Sequence, residues 1–173
     1  MRRILTVMVA TVVLGCGATH QRPQEKFAPG LSTGAYIGRV TVTSKEEAAK
    51  SNEALQKKMR DWEGFARSRL QEGLTARGYQ VVTEPPAPGS AALIWNLDVD
   101  VRYGNRALRY VVGFGAGKGH VHSALVVQDD AKQTKYRSGA DSDLSIGVFG
   151  GDIGQVLRGN IEKLSASLPA PQS

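Results

Sequence analysis

The chain predicts an α+β two-layer sandwich: a largely antiparallel sheet of about five strands, with a long N-terminal helix and a C-terminal helix on one face. Three observations carry this. Residues 93–103 and 120–128 alternate apolar and polar side chains, the period of a strand with one buried face. Residues 55–74 and 153–168 repeat apolar side chains every three or four positions, the period of an amphipathic helix. The elements follow one another as strand, long helix, short strand, three longer strands and helix, which fits one domain over residues 34–168.

The first strand is expected over residues 35–43, where Tyr36, Ile37, Val40 and Val42 are interleaved with threonines. Ser44-Lys45-Glu46-Glu47 has capping-box spacing, so the long helix is expected to start there. Its buried stripe is Leu55, Met59, Trp62, Ala66, Leu70 and Leu74, widened by Phe65, and Gly78 supplies the left-handed residue that ends it. At this spacing Met59 and Trp62 are core residues. A short strand follows at residues 79–83, interrupted by Glu84-Pro85-Pro86-Ala87-Pro88-Gly89.

In the next strand Leu93, Trp95, Leu97, Val99, Val101 and Tyr103 take one face, and Asn96, Asp98, Asp100 and Arg102 take the other. Val121, Ser123, Leu125 and Val127 alternate with His120, His122, Ala124, Val126 and Gln128 in a further strand. One more strand is expected at about 135–145. The last helix opens at Asp152, an N-cap after Gly150-Gly151, and turns Ile153, Leu157, Ile161, Leu164 and Leu168 to one side. Pro169 and Pro171 end it, leaving 169–173 as a tail.

Cys16 is the sole cysteine among 173 residues, so no disulfide within the chain can support the fold. It follows Met1-Arg2-Arg3 and the apolar run of residues 4–14, interrupted only by Thr6 and Thr11. A basic start and a short apolar run make an export signal, too short for the roughly 20 residues of a membrane span. Val13-Leu14-Gly15-Cys16 resembles the lipobox of bacterial lipoproteins, which implies that residues 1–15 are removed and that Cys16 carries covalent lipid. Each buried methylene adds about 0.8 kcal/mol, so two or more acyl chains hold a protein firmly where one does not. Residues 16–33, polar and broken by Pro23, Pro29 and Gly30, are expected to be a flexible tether. Gly17 lacks the aspartate associated with inner-membrane retention, so the expected location is the outer membrane facing the periplasm.

The formal charge is +6, and losing residues 1–15 with Arg2 and Arg3 leaves +4. Lys and Arg are interspersed with Asp and Glu, giving a mixed surface with mild attraction to anionic lipid or polymer. Nucleic acid is not an expected partner for an exported chain.

Between the two best strands runs Gly104-Asn105-Arg106-Ala107-Leu108-Arg109-Tyr110, continuing to Gly113-Phe114-Gly115-Ala116-Gly117-Lys118-Gly119. A phosphate-binding P-loop would need glycine at 112 and Ser or Thr at 119, where Val112 and Gly119 stand. Gly113, Gly115, Gly117 and Gly119 also miss the G-x-G-x-x-G spacing, so no nucleotide cofactor is expected. Glycine at every second position leaves one face of an extended segment bare for close packing. Arg106, Leu108, Arg109, Tyr110, Phe114 and Lys118 form a basic and apolar set that can lie on anionic lipid or dock a partner.

These glycine motifs, the strand ending at Asp129 and Gly150-Gly151-Asp152 resemble a family of uncharacterised bacterial lipoproteins known as domain of unknown function 4410. The resemblance covers about residues 33–168 and implies a small exported α/β domain, with no established catalytic residues to carry over. After Asp129, where such proteins often hold a Thr-Gly pair, this chain has Asp130-Ala131-Lys132-Gln133-Thr134. The element order is also similar to envelope domains of the TolB N-terminal and penicillin-binding-protein-activator type, which bind other proteins.

His120 and His122 point one way from their strand, and Asp98 and Asp100 lie on the wet face of the preceding one. Paired in suitable register, they form a candidate ligand set for zinc or another divalent metal. H-E-x-x-H does not occur. The expected protein is therefore a lipid-anchored, non-catalytic binding or assembly module whose only attached group is the lipid on Cys16, with an envelope protein or further copies of itself as partner. A metal-dependent protein using the His/Asp face is one alternative. An oligomer that presses its glycine-rich loop into a membrane or pore is the other.

Overall fold

The computed structural model describes residues 19–21, 32–46, 52–102, 119–144, 153–168 and 170–171. Six strands, β1 (Thr19–Gln21), β2 (Gly34–Thr43), β3 (Gln80–Val82), β4 (Leu93–Arg102), β5 (Gly119–Gln128) and β6 (Thr134–Leu144), form one sheet ordered β1-β6-β5-β4-β2-β3. Helices α1 (Glu53–Ala76) and α2 (Ile153–Ala166) supply the second layer. This is the α+β sandwich that the sequence predicts. The sheet is mixed: β1/β6, β4/β5 and β5/β6 are antiparallel, whereas β2 runs parallel to both β3 and β4.

Period-two patterning decides which face is buried. Leu93, Trp95, Leu97, Val99 and Val101 of β4 and Val121, Leu125 and Val127 of β5 pack beneath the helices with Tyr136 and Ala140 of β6. Met59, Ala66, Leu70 and Leu74 of α1, with the half-buried Leu55, Trp62 and Phe65, meet them from above, as do Ile153, Leu157, Ile161 and Leu164 of α2. Burying a side chain of this size contributes about 1.5–3 kcal/mol. Tyr79 stands edge-on to Trp95 with ring centroids 5.0 Å apart.

The start of α1 differs from the capping-box expectation. Residues 44–46 are not helical, and the N-cap is Asn52, whose Oδ1 accepts from the Leu55 amide at 3.1 Å. Asn provides the same acceptor as Ser, so the earlier motif was one of two competing caps. The end is as expected: Gly78 takes φ +90°, the Tyr79 amide donates to the Leu74 carbonyl and the Gly78 amide to that of Thr75.

Thr19–Gln21 lies in the expected tether yet forms an edge strand on β6. A three-residue strand has too little periodicity to be seen in a sequence.

The two sheet edges are finished differently. Opposite β4, β3 covers only Gly34 to Tyr36 of β2. Beyond it β2 bulges between Ile37 and Val40, and α1 lends side chains to its backbone. Arg67 donates to the Ile37 and Gly38 carbonyls at 2.8 and 2.7 Å, and the Val42 amide donates to Glu63 Oε1 at 3.1 Å. Gly38 is needed at the bulge because a Cβ there would sit 2.7 Å from Asn96 Oδ1.

Candidate functional site: the open face of the sheet

The face turned away from the helices carries Asn96, Asp98, Asp100 and Arg102 from β4, His120 and His122 from β5, and Asp141 and Asp143 from β6. Antiparallel pairing places directly opposed residues on one face, so register decides which of these side chains meet. Asp100 stands opposite His122, which stands opposite Asp141; Arg102 stands opposite His120, which stands opposite Asp143. On the backbone ladder of β1, His20 is the register partner of Asp141.

The sequence expectation joined both histidines to Asp98 and Asp100. The structure instead gives them carboxylates from β6, on the other side of β5. His122 Nδ1 lies 2.6 Å from Asp141 Oδ1, and His120 Nε2 lies 3.1 Å from the same oxygen. His120 Nδ1 is 3.2 Å from Asp143 Oδ1. A neutral imidazole donates at one nitrogen, whereas the imidazolium donates at both, so the charged ring satisfies both carboxylates of His120.

Asp98 is engaged elsewhere. It accepts from Thr41 Oγ1 at 2.7 Å and from Arg39 Nη2 at 3.0 Å. Asp100 approaches Arg102 Nε at 3.5 Å, while its buried Oδ1 has no hydrogen-bond partner. Among the described residues no group of three or more His, Cys, Asp or Glu side chains is arranged to hold a metal ion. The proposed ligand set is thus split: Asp98 belongs to an Arg39–Thr41 cluster and the histidines belong to Asp141 and Asp143.

On the covered side of the same β5/β6 pair lies a polar cluster that sequence reasoning missed. Asn160 of α2 is fully buried. Its Oδ1 accepts from Ser142 Oγ at 2.6 Å. Its Nδ2 faces the Val121 carbonyl at 3.2 Å, Ser123 Oγ at 3.3 Å and the Ala140 carbonyl at 3.4 Å. Ser123 is therefore a buried partner of this amide. The signal was present in the sequence: Ser123 and Ser142 occupy the apolar parity of their strands, and Asn160 falls three residues after Leu157 and four before Leu164, on the buried stripe.

A depression of about 380 Å³ lies where α1 and α2 meet, lined by Arg69, Gly73, Arg77 and Ser165, and one of about 230 Å³ lies beside Val42, Met59 and Glu63. At the first, Arg77 donates to the Ser165 carbonyl at 3.1 Å and to that of Ala166, closing the last turn of α2. Burial pushes the Tyr79 phenol above its ordinary pKa; Tyr136 adds to the rise and Arg77 opposes it.

The remaining expectations fall elsewhere. Cys16, the loop residues Arg106, Leu108, Arg109, Tyr110, Phe114 and Lys118, and Gly150-Gly151-Asp152 lie outside the described residues. No described helix is long and apolar enough to cross a membrane.

No protein-family model matches the chain, and no curated protein matches it significantly. Solved structures do. The PelC dodecamer from Paraburkholderia phytofirmans is similar with a TM-score of 0.51 and 16% identity, over 91% of this chain and 100% of that one. A dodecamer of a point variant of that PelC gives a TM-score of 0.50 and 16% identity, over 90% and 99% of the two chains. At this identity the likeness establishes a shared fold, and both of these neighbours are dodecamers.

Proposed function

We propose that the chain is a lipid-anchored protein of the bacterial cell envelope whose single domain is a non-catalytic binding and assembly module, built by association of like copies. The observation that carries the assembly reading is the pair of fold neighbours, which span nine-tenths or more of this chain and are both dodecamers. The glycine motifs that resemble domain of unknown function 4410 and the lipobox-like Val13-Leu14-Gly15-Cys16 support an exported, acylated chain on the outer membrane. Lipid on Cys16 is the only attached group this reading requires. Envelope proteins or further copies are its partners, and nucleic acid is not.

The experiment is a size measurement. Full chain expressed with its signal, extracted in mild detergent and weighed by light scattering or native mass spectrometry, is expected to run as an assembly of many copies. A monomer throughout the micromolar range, in detergent and in vesicles alike, would overturn the assembly reading.

The reading in which the glycine-rich loop meets a membrane has one observation in its favour. Arg102 and Gly119, the described residues flanking residues 103–118, sit at the end of the sheet nearest Thr19, the first residue of β1.

A further inference from the structure

The register of β1 bears on how such a domain meets its membrane. Thr19 pairs with Ser142, Ser142 with Val121, and Val121 with Val101. These residues lie one position from the end of the sheet where β4 stops at Arg102 and, on β5, two from its start at Gly119. Because β1 is antiparallel to β6, its first residue, Thr19, is the one nearest this same end. Only three residue steps separate Thr19 from Cys16, a reach of about 10 Å at full extension. Were residues 16–33 free up to Gly34, the reach would be about 60 Å.

We propose that β1 is a docked strap that clamps the lipidated N-terminus to the β6 edge, so that the sheet end bearing Arg102, His120 and Asp143 faces the lipid bilayer at close range. This rests on the reading of Cys16 as acylated. The strap is held by backbone pairing over three residues. The end it presents is polar: the Arg102 side chain is 59% exposed, that of Asp143 50% and that of His120 37%. The hairpin around Ala131 occupies the opposite end of β5, about 30 Å away for a ten-residue strand.

The test uses the full lipidated chain in vesicles of phosphatidylethanolamine and phosphatidylglycerol with a nitroxide on some headgroups. Acylation blocks Cys16, so Arg102→Cys and Ala131→Cys each carry a single fluorophore. Quenching is expected to be about fivefold stronger at position 102 than at 131, a contrast set by the length of the strand between them. His20→Pro, which takes one of the three amides out of β1 and fixes the residue's φ at about −65°, is expected to erase the difference while leaving the lipid in place. Equal quenching at both ends, or stronger quenching at 131, overturns the orientation. Two further measurements separate the causes of failure. The amides of Thr19 and Gln21 in the Cys16→Ser chain should exchange about tenfold more slowly than in the same chain carrying His20→Pro, and no slowing overturns the strap. The mass of the N-terminal fragment reports the lipid directly, and a free thiol there overturns the anchor and the orientation together.

Discussion

The β5/β6 strand pair carries two polar clusters at the same level of the sheet, one on each face, and they are built on opposite terms. Beneath α2, Asn160 meets Ser123 and Ser142 in a neutral, fully enclosed network. On the open side, one residue along the ladder, His122 and His120 meet Asp141 and Asp143 with water at hand: the Asp143 side chain is half exposed. A neutral amide can be buried when its donors and acceptors are matched, whereas an isolated ion cannot. Alternation along two strands thus separates a cluster that specifies the packing of α2 from one that stands beside solvent.

The largest effect should come from the enclosed side. Asn160→Leu removes four hydrogen-bond contacts and is expected to cost about 3 kcal/mol in urea unfolding, since groups left behind in the core lose a partner without gaining water. Adding Ser123→Ala and Ser142→Ala to that variant should restore a good part of the loss, because removing both sides of a buried hydrogen bond is far cheaper than removing one. If the triple variant were no better than Asn160→Leu alone, the hub would be a matter of volume and not of matched polarity.

On the open face Asp141→Asn should cost about 1 kcal/mol or less, and raised salt should shrink the difference, as expected of charges that water can screen. A loss as large as that of Asn160→Leu, insensitive to salt, would show that the two clusters do not differ in kind.

Much of this was legible in the sequence, and the parts that were not share a physical cause. Alternation identified the buried parity of β4 and β5, and the three-to-four spacing identified the packed stripes of α1 and α2, because burial imposes those periods locally. Strand order is not local. Nothing in residues 93–144 says that β5 lies between β4 and β6, so the partners of His120 and His122 were sought on β4 when they stand on β6. Parallel pairing of β2 with β4 was hidden for the same reason. Asn160 was passed over because asparagine reads as a surface residue unless the serines on the buried parity of the facing strands are read with it.

The hairpin joining β5 to β6 sets the register on which both clusters depend. Its loop closes through the Asp129 amide to the Gln133 carbonyl at 3.1 Å and the Lys132 amide to the Asp129 carbonyl at 3.0 Å. Lys132 takes φ +61°, the position where glycine is favoured in such loops. Lys132→Gly should therefore raise stability by about 0.5 kcal/mol, measured as a small rise in Tm, and leave the effects of Asn160→Leu and Asp141→Asn unchanged. A change in either effect in that background would mean that the turn was holding a strained register.

The smallest effect belongs to the Asp129 carboxylate at the start of this loop. Its Oδ2 lies 2.8 Å from Lys135 Nζ and its Oδ1 accepts from the Gln133 amide at 2.8 Å. The Lys135 hydrogen bond, foremost, and the loop amides hold its pKa below the ordinary carboxylate value, against the opposing effect of desolvation. A carboxyl whose folded pKa is depressed takes up its proton less readily than in the unfolded chain. Its contribution is present above the unfolded value and is lost as pH falls through the folded one. Asp129→Asn should therefore be slightly less stable than the parent at neutral pH and converge with it in acid, read as two unfolding midpoints that approach each other below the carboxylate range. The Asp129→Asn difference should persist in an Asp141→Asn background if hairpin and open-face row are independent. Its disappearance there would join the turn to the cluster it registers.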